Sequence, residues 1–178
     1  MSVEELGRVI IWTVLDSLRD SDVHLGLAHW GCVRIVNSVQ MDLDCISASD
    51  VIFGRPQNAG KDSAGDLFVA TGNGYIIHGS VHADHKPSPR QYKADLESNI
   101  GVRSLTFCPF GEHFILAGCD DGSVRLHSLT SEKPLITWPG TVDGQPIVQI
   151  IWSPSRPCVF YILDSDSRCV ITDRLREF

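Results

Sequence analysis

The sequence lacks the motifs that mark most enzymes and membrane proteins. It contains no Gly-Xaa-Ser-Xaa-Gly nucleophile motif, no phosphate-binding P-loop, and no Gly-Xaa-Gly-Xaa-Xaa-Gly between a strand and a helix. No apolar run approaches the roughly 20 residues that a membrane-spanning helix needs. The opening residues MSVEELGRVII also lack the basic and apolar regions of a secretory signal. These absences argue against an enzyme and against membrane insertion.

Positive charge is also scarce. The chain has 15 Lys and Arg residues against 22 Asp and Glu residues, which gives a formal net charge of −7. Such a surface repels nucleic acid phosphates and anionic lipids, so we expect neither to be the main partner. The six cysteines form no Cys-Xaa-Xaa-Cys pair and lie mostly within apolar runs, which favours a reducing, cytoplasmic compartment.

What the sequence does contain is an internal repeat. Residues 102–129 and 147–173 align without a gap at a constant offset of 45. Each segment reads as an apolar strand, a turn with proline, a second strand, an acidic turn and a third strand. The stretch KPLITW after the first segment could supply a fourth strand. The matched positions include Phe107 with Trp152, Pro109 with Pro154, and Asp121 with Asp166.

Weaker copies precede these two segments. Residues 66–79 contain a strand, the turn Asn73-Gly74 and another strand, and residues 6–16 read as a third strand in which Trp12 matches His127. The polar stretch 54–65 is rich in Gly, Pro, Asn and Ser, as is typical of a surface loop. Residues 2–20 can alternatively be drawn as an amphipathic helix, but the β-branched cluster VIIWTV favours a strand. The pattern therefore predicts an all-β fold made of four-stranded units.

A unit of this length and order resembles the blade of a WD-repeat β-propeller. The matching stretches are FCPFG (107–111), LAG (116–118) and DGSVRL (121–126). The third strand of such a blade ends in Trp-Asp, which survives here only in part, at Trp12-Thr13, His127-Ser128 and Thr172-Asp173. In the family, the corner Asp joins a network with a Ser or Thr, a His and the Trp. Ala117 and His127 replace two members of that network, so we expect it not to form in its usual shape and His127 to be a half-buried filler.

The resemblance implies a single domain, a partial propeller of about three to four blades, some of them incomplete. A propeller closes as a ring of roughly four to eight blades that shields its strand edges. We therefore expect this chain to be a fragment or shortened form and to aggregate when isolated. The expected divisions are the end of one blade and the start of the next at 1–53, a loop insertion at 54–65, the rest of the second blade at 66–100, the third blade at 101–145, an incomplete last blade at 146–173 and a tail at 174–178.

Asp120 and Asp121 are the clearest candidates for a catalytic or metal-binding pair. However, Asp121-Gly122 between alternating strands is a strong hairpin signal, because such a turn needs positive φ, which Gly and Asp tolerate. Asn73-Gly74 and Asp166-Ser167 occupy matching corners, and a turn has reason to recur where a catalytic pair has none. We interpret all these corners as structural. A propeller enzyme using Asp120 and Asp121 is the remote alternative.

Three histidines, His78, His82 and His85, have spacings that could place zinc ligands on one face of a helix. The stretch follows a predicted strand and runs into KPSPR, so a helix is not expected and no fourth ligand lies nearby. A polar loop between blades is the favoured interpretation. We therefore predict no metal site and no cofactor.

The resemblance is closest to one group within the WD-repeat family. TGNGYIIHG (71–79), LAGCDDGSVRLHSL followed by PLITW (116–138), and VQIIWSPSRPCVFYILD (148–164) are similar to the C-terminal propeller of cytoplasmic dynein 2 intermediate chains. The similarity covers residues 66–173 well and residues 6–40 loosely, and it includes the non-standard His78 and His127.

This resemblance implies a non-catalytic scaffold that supports retrograde intraflagellar transport in cilia. Its implied partners are the dynein-2 heavy chain, the second intermediate chain and other subunits of the complex. Its implied location is the cytoplasm, the cilium and the ciliary base, in association with the cytoskeleton. Light-chain binding is not expected, because the family's N-terminal binding region has no counterpart here. The alternatives are other WD-repeat adaptors, of the cytoplasmic dynein 1 or the ubiquitin-ligase type.

Overall fold

The structure is a computed structural model that describes residues 2–3, 8–16, 33–42, 47–54, 66–80, 88–93, 100–111, 113–140 and 143–173, with side chains described from residue 47 onwards. These residues form fourteen strands and no helix. They therefore contain no helix that could span a membrane. The all-β prediction is confirmed. The helical alternative is wrong at residues 8–16, which form a strand.

Every sheet is antiparallel and is built from strands that are consecutive in the chain. The first sheet contains β1 (Ser2–Val3), β2 (Arg8–Asp16) and β3 (Val33–Asp42). The second contains β4 (Ala48–Gly54), β5 (Asp66–Thr71), β6 (Tyr75–Ser80) and β7 (Gln91–Lys93). The third contains β8 (Val102–Phe107), β9 (Phe114–Cys119), β10 (Val124–Ser128) and β11 (Pro134–Trp138). The fourth contains β12 (Ile147–Trp152), β13 (Phe160–Asp164) and β14 (Cys169–Thr172).

The offset of 45 residues in the sequence is reproduced in the backbone hydrogen bonds of the third and fourth sheets. In the first hairpin of each sheet, a backbone N–H donates to the carbonyl oxygen six residues later, across the turn. In the second hairpin, a backbone N–H donates to the carbonyl oxygen three residues earlier. The equivalent pairs are Cys108 N–H to Phe114 O with Ser153 N–H to Val159 O, and Gly122 N–H to Cys119 O with Ser167 N–H to Asp164 O. Together with the sheet order, these bonds identify the repeated unit as a propeller blade and the chain as a partial β-propeller.

The blades pack on one another through alternating side chains, because successive residues of a strand point to opposite faces. One apolar core lies between the second and third sheets and includes Phe68, Tyr92 and Ile115. A separate core lies between the third and fourth sheets and includes Leu116 and Phe160. Residues 114–119 belong alternately to both cores, which explains why β9 is buried on both faces.

The first strands of the sheets also carry a repeated polar contact. β8 lies against both β4 and β12. Asp50 Oδ2 on β4 accepts the N–H of Leu105 at 2.7 Å, and Ser104 Oγ on β8 accepts the N–H of Ile150 at 3.2 Å. Each strand has a register shift at its start, between residues 48 and 50, 102 and 104, and 147 and 149. A β-bulge at the equivalent position of these three sheets re-aims a side chain toward the next blade.

We expect Ser104→Ala to lower the free energy of unfolding by about 1 kcal/mol, because it leaves the buried N–H of Ile150 without its acceptor. Ser155→Ala is the matched control, since Ser155 is exposed and its side chain has no such contact. Denaturant unfolding of both variants measures the difference. Equal stabilities for the two variants would show that this contact between blades contributes nothing.

Candidate functional site

The corner at Asp121 is held by local hydrogen bonds. Asp121 Oδ1 accepts the backbone N–H of Ser123 at 3.0 Å and its hydroxyl at 2.5 Å. Gly122 follows with φ of +75°, where a Cβ would lie 2.7 Å from the carbonyl oxygen of Gln145. The corner therefore needs glycine both for its backbone conformation and for its close approach to the loop before β12.

The two adjacent acids point to different partners. Asp120 forms an ion pair with Arg103, and its N–H donates to Gly101 O. Asp121 Oδ2 lies 3.9 Å from the guanidinium of Arg125. The carboxylates do not converge on a shared point, and no group of three possible metal ligands occurs among the described residues. Each acid is engaged in a local structural contact.

The corner of the second sheet uses a different residue for the same purpose. The hydroxyl of Thr71 lies 2.7 Å from Asn73 Oδ1 and accepts the N–H of Tyr75 at 3.0 Å. Gly74, with φ of +88°, completes the turn. Sequence reasoning singled out Asn73 and Gly74 but missed Thr71. Its position at a strand end, four residues before the next strand, is the signal that could have found it.

The corner of the fourth sheet follows the second sheet rather than the third. Asp164 Oδ1 accepts the N–H of Arg168 at 2.8 Å, from the position equivalent to Thr71. Asp166, which the repeat matched to Asp121, is exposed in the turn, and Ser167 adopts φ of +63° where the third sheet has Gly122. Asp164 was not expected to have this role, because sequence alignment marked Asp166 instead.

His127 is completely buried, so the expectation of a half-buried filler is wrong. It lies on β10 and its ring meets Tyr92 edge-on, with the centroids 6.1 Å apart. Neither ring nitrogen has a hydrogen-bond partner among the described residues. Burial, assisted by the positive charge of Arg125, lowers the pKa of His127 to about 4. The histidine is therefore neutral at physiological pH.

The remaining positions singled out from the sequence are Trp12, Asp173 and the three histidines of the possible zinc site. Trp12 lies inside β2, four residues before its end at Asp16, rather than at a strand end. Asp173 directly follows β14. His78 stacks on Phe68 at a centroid distance of 4.1 Å, within a blade. His82 and His85 lie outside the described residues, as do the tail at 174–178 and residues 55–65 of the predicted loop.

Two surface features of the described residues could contact a partner. One is a cleft of about 410 Å³ at the start of the first strands, where Ser49, Arg103 and Val148 each occupy the bulge of their own blade. The other is the outer face of the fourth sheet. There Ile151, Tyr161 and Ile171 form one cross-strand row, and Ile171 is 68% exposed. Neither feature contains an arrangement suited to bond-making chemistry.

A fold of antiparallel blades stacked through their first strands, with corner acids engaged in turns, defines a partial β-propeller without a recognisable catalytic centre among its described residues. The solved structure titled "Crystal structure of Chaetomium thermophilum Raptor" shares this fold, with a TM-score of 0.56 and 14% sequence identity, over 79% of this chain and 12% of that chain. At this identity, the likeness concerns the fold alone.

The particular resemblance is to cytoplasmic dynein 2 intermediate chain 1. The chain is 34% identical to the protein of Mus musculus and 32% identical to that of Homo sapiens, in both cases over 98% of its own length. It spans only 18% and 17% of those relatives, so it corresponds to a small part of each. No protein-family profile matches the chain. The resemblance to dynein-2 intermediate chains predicted from the sequence is confirmed.

Proposed function

We propose that the chain is a non-catalytic propeller segment of a dynein-2 intermediate chain. The observation that carries this proposal is the similarity to two such intermediate chains across nearly the whole of this chain. The described geometry supports a scaffold, because Asp120 and Asp121 are engaged in separate structural contacts. In this role the segment binds the motor heavy chain, beside the second intermediate chain and other subunits of the complex.

The proposed role places the segment in the cytoplasm, at the ciliary base and in the cilium, where it supports retrograde intraflagellar transport. Exposed apolar side chains on the fourth sheet and the cleft at the blade bulges offer surfaces for protein contacts. The formal net charge of −7 supports protein partners over nucleic acid or anionic membrane.

Affinity capture from ciliated cells tests this role. We expect the tagged chain to recover the dynein-2 heavy chain, as identified by mass spectrometry of the captured proteins. Phe160→Asp is the control, because it places a charge in the completely buried core between the third and fourth sheets and should unfold that region. Recovery that survives in this variant would not depend on the folded propeller. Recovery of a dynein-1 heavy chain or of ubiquitin-ligase subunits, without the dynein-2 heavy chain, would contradict the assignment.

A further inference from the structure

The packing between the second and third sheets contains two buried basic side chains, Arg125 and His127. We call this packing the second–third joint, formed around Phe68, Tyr92, Ile115, Arg125 and His127. Arg125 is 2% exposed, and its Nε and Nη1 have no hydrogen-bond partner among the described residues. Both ring nitrogens of His127 also lack a hydrogen-bond partner among the described residues. Burying polar atoms without partners costs free energy, so this joint is less stable than its apolar area suggests.

We call the packing between the third and fourth sheets the third–fourth joint; it buries mainly apolar side chains. Its apolar core contains Trp138, Ile150, Trp152 and Phe160. Asp164 is buried on the same face of β13 as Phe160, and its carboxylate accepts the N–H of Arg168 at 2.8 Å. No histidine lies among the buried residues of this joint that the structure describes. The indole of Trp138 packs against the ring of Phe160 at 5.9 Å. This joint provides an internal comparison for any effect of protonation on the joint before it.

The surroundings of His127 are unfavourable for a positive charge. Arg125 lies two residues before it on the same strand, and Tyr92 covers its ring from the second sheet. His78 contacts the other side of this region through the ring of Tyr92, and Asp66 lies against His78. Burial, and secondarily the charge of Asp66, raises the pKa of Tyr92, which stays a neutral hydroxyl and donates to Leu129 O at 2.9 Å. The carboxylate of Asp66 lies 3.6 Å from the ring of His78 instead. His127 therefore has a cation beside it and no acceptor among the described residues.

We propose that the second–third joint is an acid-sensitive hinge, which opens when His127 takes up a proton that the closed packing cannot accommodate. Opening would expose both the imidazole and Arg125 to water, which screens the repulsion between them, and would release the contact with Tyr92. The joint between the third and fourth sheets would stay closed. This property goes beyond the proposed scaffold role, and it does not depend on which partner the propeller binds.

The expected size of the effect follows from the difference in proton affinity between the two states. In the closed state the pKa of His127 is lowered to about 4, whereas an exposed imidazole has a value of about 6.5. The open state then binds the proton more tightly, so opening becomes more favourable as the pH falls from about 6.5 toward 4 and changes little above or below that window. Between pH 7 and pH 5, the open population should rise about 20-fold.

Two backbone amides report on the two joints separately. The N–H of Lys93 donates across the second–third joint to Glu132 O at 3.0 Å. The N–H of Ile150 donates across the third–fourth joint to Ser104 Oγ at 3.2 Å. Hydrogen exchange, corrected for the intrinsic pH dependence of amide exchange, measures how often each bond opens.

We expect the protection of the Lys93 amide to fall about 20-fold between pH 7 and pH 5, and that of Ile150 to stay nearly constant. His127→Phe should abolish the change at Lys93, whereas His113→Phe, which removes an exposed histidine, should retain it. Unchanged protection of Lys93 in the unmodified chain would overturn the proposal, as would an equal fall in the His127 variant. If His127→Phe does not fold, the comparison of Lys93 with Ile150 in the unmodified chain still decides.

Discussion

Replacing Asp121 with alanine should lower the free energy of unfolding by about 2 kcal/mol, whereas the same change at the adjacent Asp120 should cost less than about 1 kcal/mol. The difference arises from what each carboxylate contacts. Asp121 accepts two hydrogen bonds from Ser123 and is the anion nearest to the buried guanidinium of Arg125 among the described residues. Removing it leaves a cation that is only 2% exposed without its counter-charge.

Asp120 contributes less because its partner Arg103 is in water, whereas Arg125 is buried although Asp121 is itself 38% exposed. The side chains of Asp120 and Arg103 are 33% and 56% exposed, and ion pairs at such positions are screened by solvent. Urea unfolding of the two alanine variants and of the unmodified chain measures both costs. The two substitutions remove the same chemical group from neighbouring positions, so each is a control for the other.

Asp121→Asn separates the two contributions of Asp121. The asparagine side chain keeps an oxygen that can accept from Ser123 but lacks the negative charge facing Arg125. We expect the free energy of unfolding of Asp121→Asn to lie between that of the unmodified chain and that of Asp121→Ala. A loss as small as that of Asp120→Ala would show that the guanidinium does not need its neighbour. Larger destabilisation from Asp120→Ala than from Asp121→Ala would contradict the assignment of roles at this corner.

The repeat made much of the fold predictable from the sequence. A constant offset aligns residues with the same structural task, so strands, turns and even individual backbone hydrogen bonds recur 45 residues apart. The strand at 8–16 was also foreseeable, because its β-branched cluster outweighed a weak helical period. Side-chain roles at the corners were less regular. Thr71, Asp121 and Asp164 stabilise equivalent turns from two different positions, and an alignment cannot show which position acts.

Contacts between blades could not be read from the sequence, because they depend on how the sheets stack. Asp50 and Leu105 are 55 residues apart, and nothing local to either indicates that they are bonded. The complete burial of His127 has the same origin. Its place on a strand was evident, but the ring of Tyr92 that covers it comes from another blade. The close approach of Ile147 to Gly118, between the third and fourth sheets, was equally hidden.

Gly118→Ala should lower the free energy of unfolding by about 2 kcal/mol, and more if the fourth sheet cannot move away. Gly118 lies on β9, and a Cβ there would lie 2.5 Å from Cγ2 and 3.1 Å from Cβ of Ile147. Ile147 is completely buried on β12, so its side chain has little room to retreat. The added methyl group therefore pushes two blades apart along the core that contains Trp138 and Phe160.

Two substitutions at Ile147 distinguish this clash from a general intolerance of alanine at Gly118. Ile147→Ala removes the methyl group that would collide, so the double variant should be more stable than the sum of the two single losses predicts, by at least about 1 kcal/mol. Ile147→Val retains a methyl at that position and should give no such recovery. Denaturant unfolding of the three single and two double variants measures the coupling. Strict additivity in the alanine pair, or recovery with valine, would mean that the cost at Gly118 comes from its backbone and that the approach of β9 to β12 does not limit the packing of these blades.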